Sequence, residues 1–93
     1  MPNALELIAA ERRRQIEAEG WTPEHDDEHD DHQLSQAAAC YALGVPDAVG
    51  MDGARVPLWP WSREWWKPTD RVRDLVKAGA LIVAEIERLQ RAG

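Results

Sequence analysis

The stretch Gly20–Gln33 collects the side chains of this chain with the most evident chemistry. It holds all three histidines, His25, His29 and His32, and the carboxylates Glu24, Asp26, Asp27, Glu28, Asp30 and Asp31. Imidazoles and carboxylates are the groups that hold Mg, Mn, Zn or Ni. His25 and His29 are four positions apart, so on a helix they would share a face. That spacing also occurs in helical zinc sites, but the His-Glu-x-x-His pattern is missing here. On a helix Glu24, Asp27, Glu28 and Asp31 would fall together as well, a face suited to Mg bridging phosphate oxygens. The metal set expected from this segment is His25, Asp26, Asp27 and His29, completed by Asp74 from a later helix, with Mg or Mn as the ion. The plain alternative is an acidic, solvated loop whose aspartates cap the next helix.

A second group is Trp59-Pro60-Trp61-Ser62-Arg63-Glu64-Trp65-Trp66-Lys67-Pro68. Tryptophan beside Lys and Arg can stack a base and neutralise a phosphate. Trp65 or Trp66 is expected to take the base, with Lys67, Arg73 and Lys77 on the phosphate. The competing reading has these rings filling a small core or an oligomer interface, where Trp is enriched. Arg73 and Lys77 could instead pair with the acidic segment as salt bridges. A metal site needs those carboxylates free, whereas ion pairing consumes them. Arg12, Arg13 and Arg14, with Lys67, Arg71 and Arg73, could line an anion pocket if the first helix packs beside the last; as an isolated run the arginines form a solvated face.

Helices must position these groups. The first is expected over Ala4–Glu19, with Asn3 as N-cap and Glu6 reaching back in a capping box. Gly20 suits a left-handed helix end, which lets Trp21 pack on Ile16. Thr22-Pro23 starts a turn, and Glu24–Asp31 reads as loop with one helical turn at most. The second helix is expected over His32–Leu43, capped by Asp31 and stopped by Gly44-Val45-Pro46. Val45–Pro60 reads as loop, with a hairpin around Asp52-Gly53 as the alternative. Trp61–Lys67 is expected to hold one helical turn after Ser62. The last helix runs from Asp70 to Arg91 behind a Thr69 cap. Val72, Leu75, Gly79, Ile82, Ile86 and Leu89 give it a heptad seam, and Val76, Ala80 and Val83 a second stripe. A helix apolar nearly all round asks for burial on several sides, which implies a homo-oligomer through 70–91. Ala78-Gly79-Ala80 permits a close helix crossing.

The fold class expected is therefore all-α: residues 1–93 as a single helical domain, three main helices in a small bundle with a Trp-rich connecting loop, oligomeric. Ninety-three residues bury a limited core. One cysteine, Cys40, excludes an internal disulfide and suits a reducing compartment; it is expected to be a buried apolar residue. Met-Pro-Asn does not read as a signal peptide, and no apolar run is long enough to span a membrane. A net charge of −6 argues against general nucleic-acid binding. Five Trp, one Tyr and no Phe is an unusual aromatic choice, because each indole brings an N–H that needs a partner when buried.

Three stretches carry a resemblance. ERxRQIxxEGWTPEHDD at Glu11–Asp27, AAACYA at Ala37–Ala42 and WWKPTDRxRDLVKAGALI at Trp65–Ile82 look like a family of small phage and prophage proteins. That resemblance implies a phage or prophage origin and a bacterial cytoplasm. More distantly, the chain resembles the all-α MazG-type nucleotide pyrophosphohydrolases, helical oligomers that hold Mg with Glu-Glu-x-x-Glu on one helix and acidic residues on a later one. This sequence has no Glu-Glu-x-x-Glu; its nearest substitutes are Glu24, Asp27, Glu28 and Asp31, then Asp70 and Asp74. Three functions follow as expectations: an oligomer that binds, and in counter-defence sequesters, a nucleotide or nucleotide-like signal; a metal-dependent nucleoside triphosphate pyrophosphohydrolase; or a structural interaction protein.

Overall fold

The computed structural model covers residues 1–93. It contains four helices, a two-stranded hairpin and one 3₁₀ turn. The chain is mostly helical, as the apolar periodicity requires.

Helix α1 spans Ala4–Glu17. The capping box forms: Asn3 Oδ1 accepts from the Glu6 N–H at 2.9 Å, and Glu6 Oε1 accepts from the Asn3 N–H at 3.3 Å. Gly20 is left-handed at φ 75°, and the Trp21 N–H returns to Gln15 O at 2.9 Å. The helix ends before Glu19 because this closure reaches one residue further back than Ile16. The charged segment then opens with α2, a single turn over Pro23–Asp26 started by Thr22, whose hydroxyl accepts from the His25 N–H.

Helix α3 spans Gln33–Leu43, one residue later than expected. Asp31 is not its cap. His32 takes that place in the left-handed region at φ 65°, while the Asp31 N–H donates to Gln33 Oε1 at 2.7 Å. Gly44, at φ 79°, ends the helix with its N–H on Cys40 O. The following segment is a hairpin rather than a loop. Strand β1, Asp47–Val49, pairs antiparallel with β2, Arg55–Pro57. Its turn is closed by Gly53 at φ 82° and by Asp52 Oδ1, which accepts from the Ala54 N–H. Asp52-Gly53 supplied the turn chemistry even though neither flank alternates. The Trp-rich segment holds a short 3₁₀ turn over Arg63–Trp65.

Helix α4 spans Arg71–Ala92 and is capped by Asp70, whose side chain accepts from the Arg73 N–H. Thr69 is a donor here, not the cap: its N–H goes to Asp74 Oδ1 at 2.7 Å. α3 runs antiparallel along α4, with Arg71 on Ala42 O at one end and Ser35 on Glu85 at the other. Between them Leu34, Ala37, Ala38, Cys40, Tyr41, Ala78, Leu81 and Ala84 form the core with Trp59. Small residues dominate it, so the two helices approach closely and each ring of the Trp segment matters more.

α1 covers a second side of α4. Ile8 lies over Gly79, where an added Cβ would come within 2.7 Å of Ile8 Cδ1. The close crossing expected at Ala78-Gly79-Ala80 is therefore made by α1. Every buried residue of α1 is polar, namely Glu11, Arg12 and Gln15. α1 is thus held by hydrogen bonds and ion pairs more than by apolar contact.

Candidate ligand cleft

The charged turn and the Trp segment, far apart in sequence, meet. Between them lies a cleft of about 570 Å³ lined by Trp21, Trp59, Trp61 and Trp65, by His25 and His29, and by Glu19, Asp26 and Ser62. Trp61 is at the centre of the aromatic wall. Its ring is 5.2 Å from His29, 5.3 Å from Trp59 and 6.4 Å from Trp21, centroid to centroid. His29 in turn sits edge-on to His25 at 5.0 Å. Behind this wall Trp59 touches Trp66 and Tyr41, and its indole N–H donates to Ser62 O at 3.0 Å, which fixes the Pro60-Trp61 bend.

Two arginines hold the histidine-bearing turn in place. Arg12, buried in α1, donates to Asp26 Oδ2 at 2.7 Å, to Trp21 O and to Glu87. Arg91, in the last turn of α4, donates to Asp27 Oδ1 at 2.7 Å and to Pro23 O. A four-residue turn has almost no stability of its own, so these contacts set where His25 points. Asp26 alone of the acidic run is buried, at 1% exposure; Glu24, Asp27, Glu28, Asp30 and Asp31 are exposed, as a solvated face would have them. Burial pushes the Asp26 carboxyl above its ordinary range and outweighs the opposing pull of Arg12.

Each expected metal-holding carboxylate is engaged elsewhere. Asp26 is paired with Arg12 and Asp27 with Arg91. Asp74 accepts from the Thr69 N–H and hydroxyl at the start of α4. His25 and His29 do come together, but no three His, Cys, Asp or Glu side chains assemble as a metal-holding group. In this arrangement Asp26, Asp27 and Asp74 are each held by protein donors rather than gathered around one point. Ion pairs engage Asp26 and Asp27, and the cations come from α1 and the far end of α4, not from Arg73 and Lys77.

The expected ligand-binding residues divide. Trp65 lines the cleft and also a smaller adjoining hollow of about 80 Å³, whose lining includes Lys67, Lys77, Arg14 and Tyr41. Lys67 lies over the Trp65 ring at 5.4 Å, and Lys77 donates to Lys67 O beside the Tyr41 ring. Trp66 is not at the cleft; its ring packs on Tyr41 at 4.8 Å and on Trp59. Arg73 pairs with Glu11, which also takes Arg14 and Gln15. Burial pushes Glu11 up, but these partners outweigh it and leave its carboxyl below the ordinary range. Arg12 and Arg14 do not form an anion pocket together, since each is committed to carboxylates.

Sequence reasoning missed Trp21, Trp59 and Trp61 as lining residues. Trp59 and Trp61 stand in the Trp-rich segment that composition singles out, where Trp65 and Trp66 beside Lys67 are the local choice, and Trp21 is explained locally by the helix end at Gly20.

His29 gives the cleft a pH dependence. Burial, and then the neighbouring His25, pull its pKa below the ordinary 6.5. The folded protein then binds fewer protons than the unfolded chain between the depressed value and 6.5, so His29 favours folding above that window and loses this as pH falls through it. His29 should make the melting temperature fall as pH drops below about 6.5, and His29→Gln should flatten that slope. Asp26, with a raised pKa, acts in the opposite sense, so the measurement is the difference between the two slopes. An unchanged slope in His29→Gln would remove this role.

No family model, curated protein or solved structure matches the chain.

Proposed function

We propose that the cleft binds the flat ring of a nucleotide or nucleotide-like molecule. The observation that carries this reading is the cleft itself: about 570 Å³ walled by four indoles and two imidazoles. Such a volume falls within the range of small-molecule sites. Indole faces stack bases regardless of sequence. Lys67 and Lys77 line a hollow that shares Trp21, Trp65 and Glu19 with the cleft, and the phosphate is assigned to them on this reading. Binding without turnover is favoured over hydrolysis because Asp26, Asp27 and Asp74 are all engaged by protein donors. Sequestration of a nucleotide-like signal in a bacterial cytoplasm is the role that goes with the phage resemblance. The reading takes the protein as a homo-oligomer, because a monomer leaves one side of α4 bare. No helix is long and apolar enough to cross a membrane.

Four of the five Trp line the cleft, so the protein reports its own binding. Titration with a panel of purine and pyrimidine mono-, di- and triphosphates should quench indole emission saturably for at least one member. The same member should raise the melting temperature, by mass action on the folded state. If no member of the panel does either, with or without Mg, the reading fails.

A further inference from the structure

The seam of α4 is the largest unaccounted feature. α3 and α1 cover two sides of the helix, and Val76, Ala78, Ala80, Leu81 and Ala84 are buried there. The third side carries Val72, Leu75, Ile82, Ile86 and Leu89, all between 47% and 64% exposed. They repeat at heptad spacing over about 26 Å of helix. Gly79, the one seam position without a side chain, is filled from α1 by Ile8. Leu5, one helical turn before Ile8 on α1, is 78% exposed. The strip therefore has apolar residues from two helices, with Ile8 filling the gap at Gly79.

We propose that this strip is a self-complementary interface: a second copy of the chain packs on it, α4 against α4, with Leu5 and Ile8 at its edge. Three observations point to a second copy as the occupant. A heptad row is matched by another row of the same period, and the copy supplies one. The exposed area of these aliphatic side chains is on the order of 500–600 Å², at the upper end of what a monomer leaves bare. With the polar rim it approaches the roughly 800 Å² per partner of a stable complex. No charged residue interrupts the row between Val72 and Leu89, so an oppositely charged partner has nothing to recognise there.

The pairing also completes α1. The fully buried residues of that helix are all polar in the monomer, and covering Leu5 would add to the apolar contact that Ile8 makes on Gly79. Its second half carries Arg12, which holds Asp26, and the chain just past its end carries Glu19, at the cleft. The interface thus steadies the helix that fixes the cleft wall, on the face of α4 away from the ligand.

Sedimentation velocity at micromolar concentrations tests the interface. The native chain should sediment as a dimer, and Ile82→Asp should sediment as a monomer with its helical circular dichroism retained, since Ile82 is 49% exposed and outside the core. Leu5→Asp should weaken the dimer at least tenfold if α1 takes part. A native chain that stays monomeric at 100 µM overturns the proposal. So does a dimer that survives both Ile82→Asp and Ile86→Asp. If Ile82→Asp unfolds, native melting temperature against concentration decides: it should rise with concentration for a dimer, and a flat line counts against one.

Discussion

Arg12→Met should cost about 3–5 kcal/mol, as is usual when one partner of a buried ion pair is removed. For 93 residues that is a large part of the roughly 5–14 kcal/mol such a domain has in total. The cause is what stays behind. Asp26, 1% exposed, would lose its 2.7 Å partner and remain as an uncompensated carboxylate. Trp21 O would lose its donor at the same time. Two further variants separate this cause from simple loss of packing. Arg12→Met with Asp26→Asn should recover most of the loss, because a buried pair replaced on both sides is often nearly neutral. The single variant should also regain stability on mild acidification. Asp26 already has a folded pKa above its unfolded value, so the folded state binds the extra proton and gains as pH falls toward the ordinary carboxylate range. Removing Arg12 widens that window. Urea unfolding at pH 7 and pH 5 on the native, single and double variants would measure all three effects. A single variant with native stability would mean that the turn carrying His25 is held by Arg91 alone.

This pair also shows what could and could not be read along the chain. The capping box at Asn3, the left-handed Gly20 and the all-round apolar α4 follow rules that act within a turn or two, and each stands where the residues put it. Asp26 sits in a run of charge that looks like a solvated face, and only a fold-level contact reveals its burial. Arg12 is 14 positions away and Arg91 is 64 positions from Asp27. No local pattern pairs either of them with the turn. His32 shows a different limit: a left-handed, non-glycine residue at a helix start has no side-chain signature, so Asp31 was the better local choice of cap. The cleft was half legible. The His-rich segment and the Trp-rich segment each stood out by composition. That they face each other, with Trp61 rather than Trp66 between them, depends on how α3 and the hairpin return the chain.

Trp59→Ala and Trp61→Ala should therefore fail in different ways, although the residues are two apart. Trp59 is 9% exposed and belongs to the core, in contact with Tyr41, Trp61 and Trp66 and with its N–H satisfied by Ser62 O. Its truncation should cost about 3–5 kcal/mol, since a core this rich in alanine cannot collapse into the gap. Trp61 is only half-buried and presents its ring between Trp21 and His29. Its loss should leave the fold largely intact and remove the central stacking surface. Losing one such face costs about 1–3 kcal/mol of binding, roughly 5–150-fold in Kd. Paired urea unfolding and ligand titration on the two variants, using a nucleotide that quenches the native protein, would show this division. If Trp61→Ala binds as tightly as the native chain, the base does not stack there and the cleft reading loses its central wall. If Trp61→Ala instead unfolds like Trp59→Ala, the aromatic chain from Trp66 to His29 is one structural core, and the opening beside it is a by-product of packing bulky indoles.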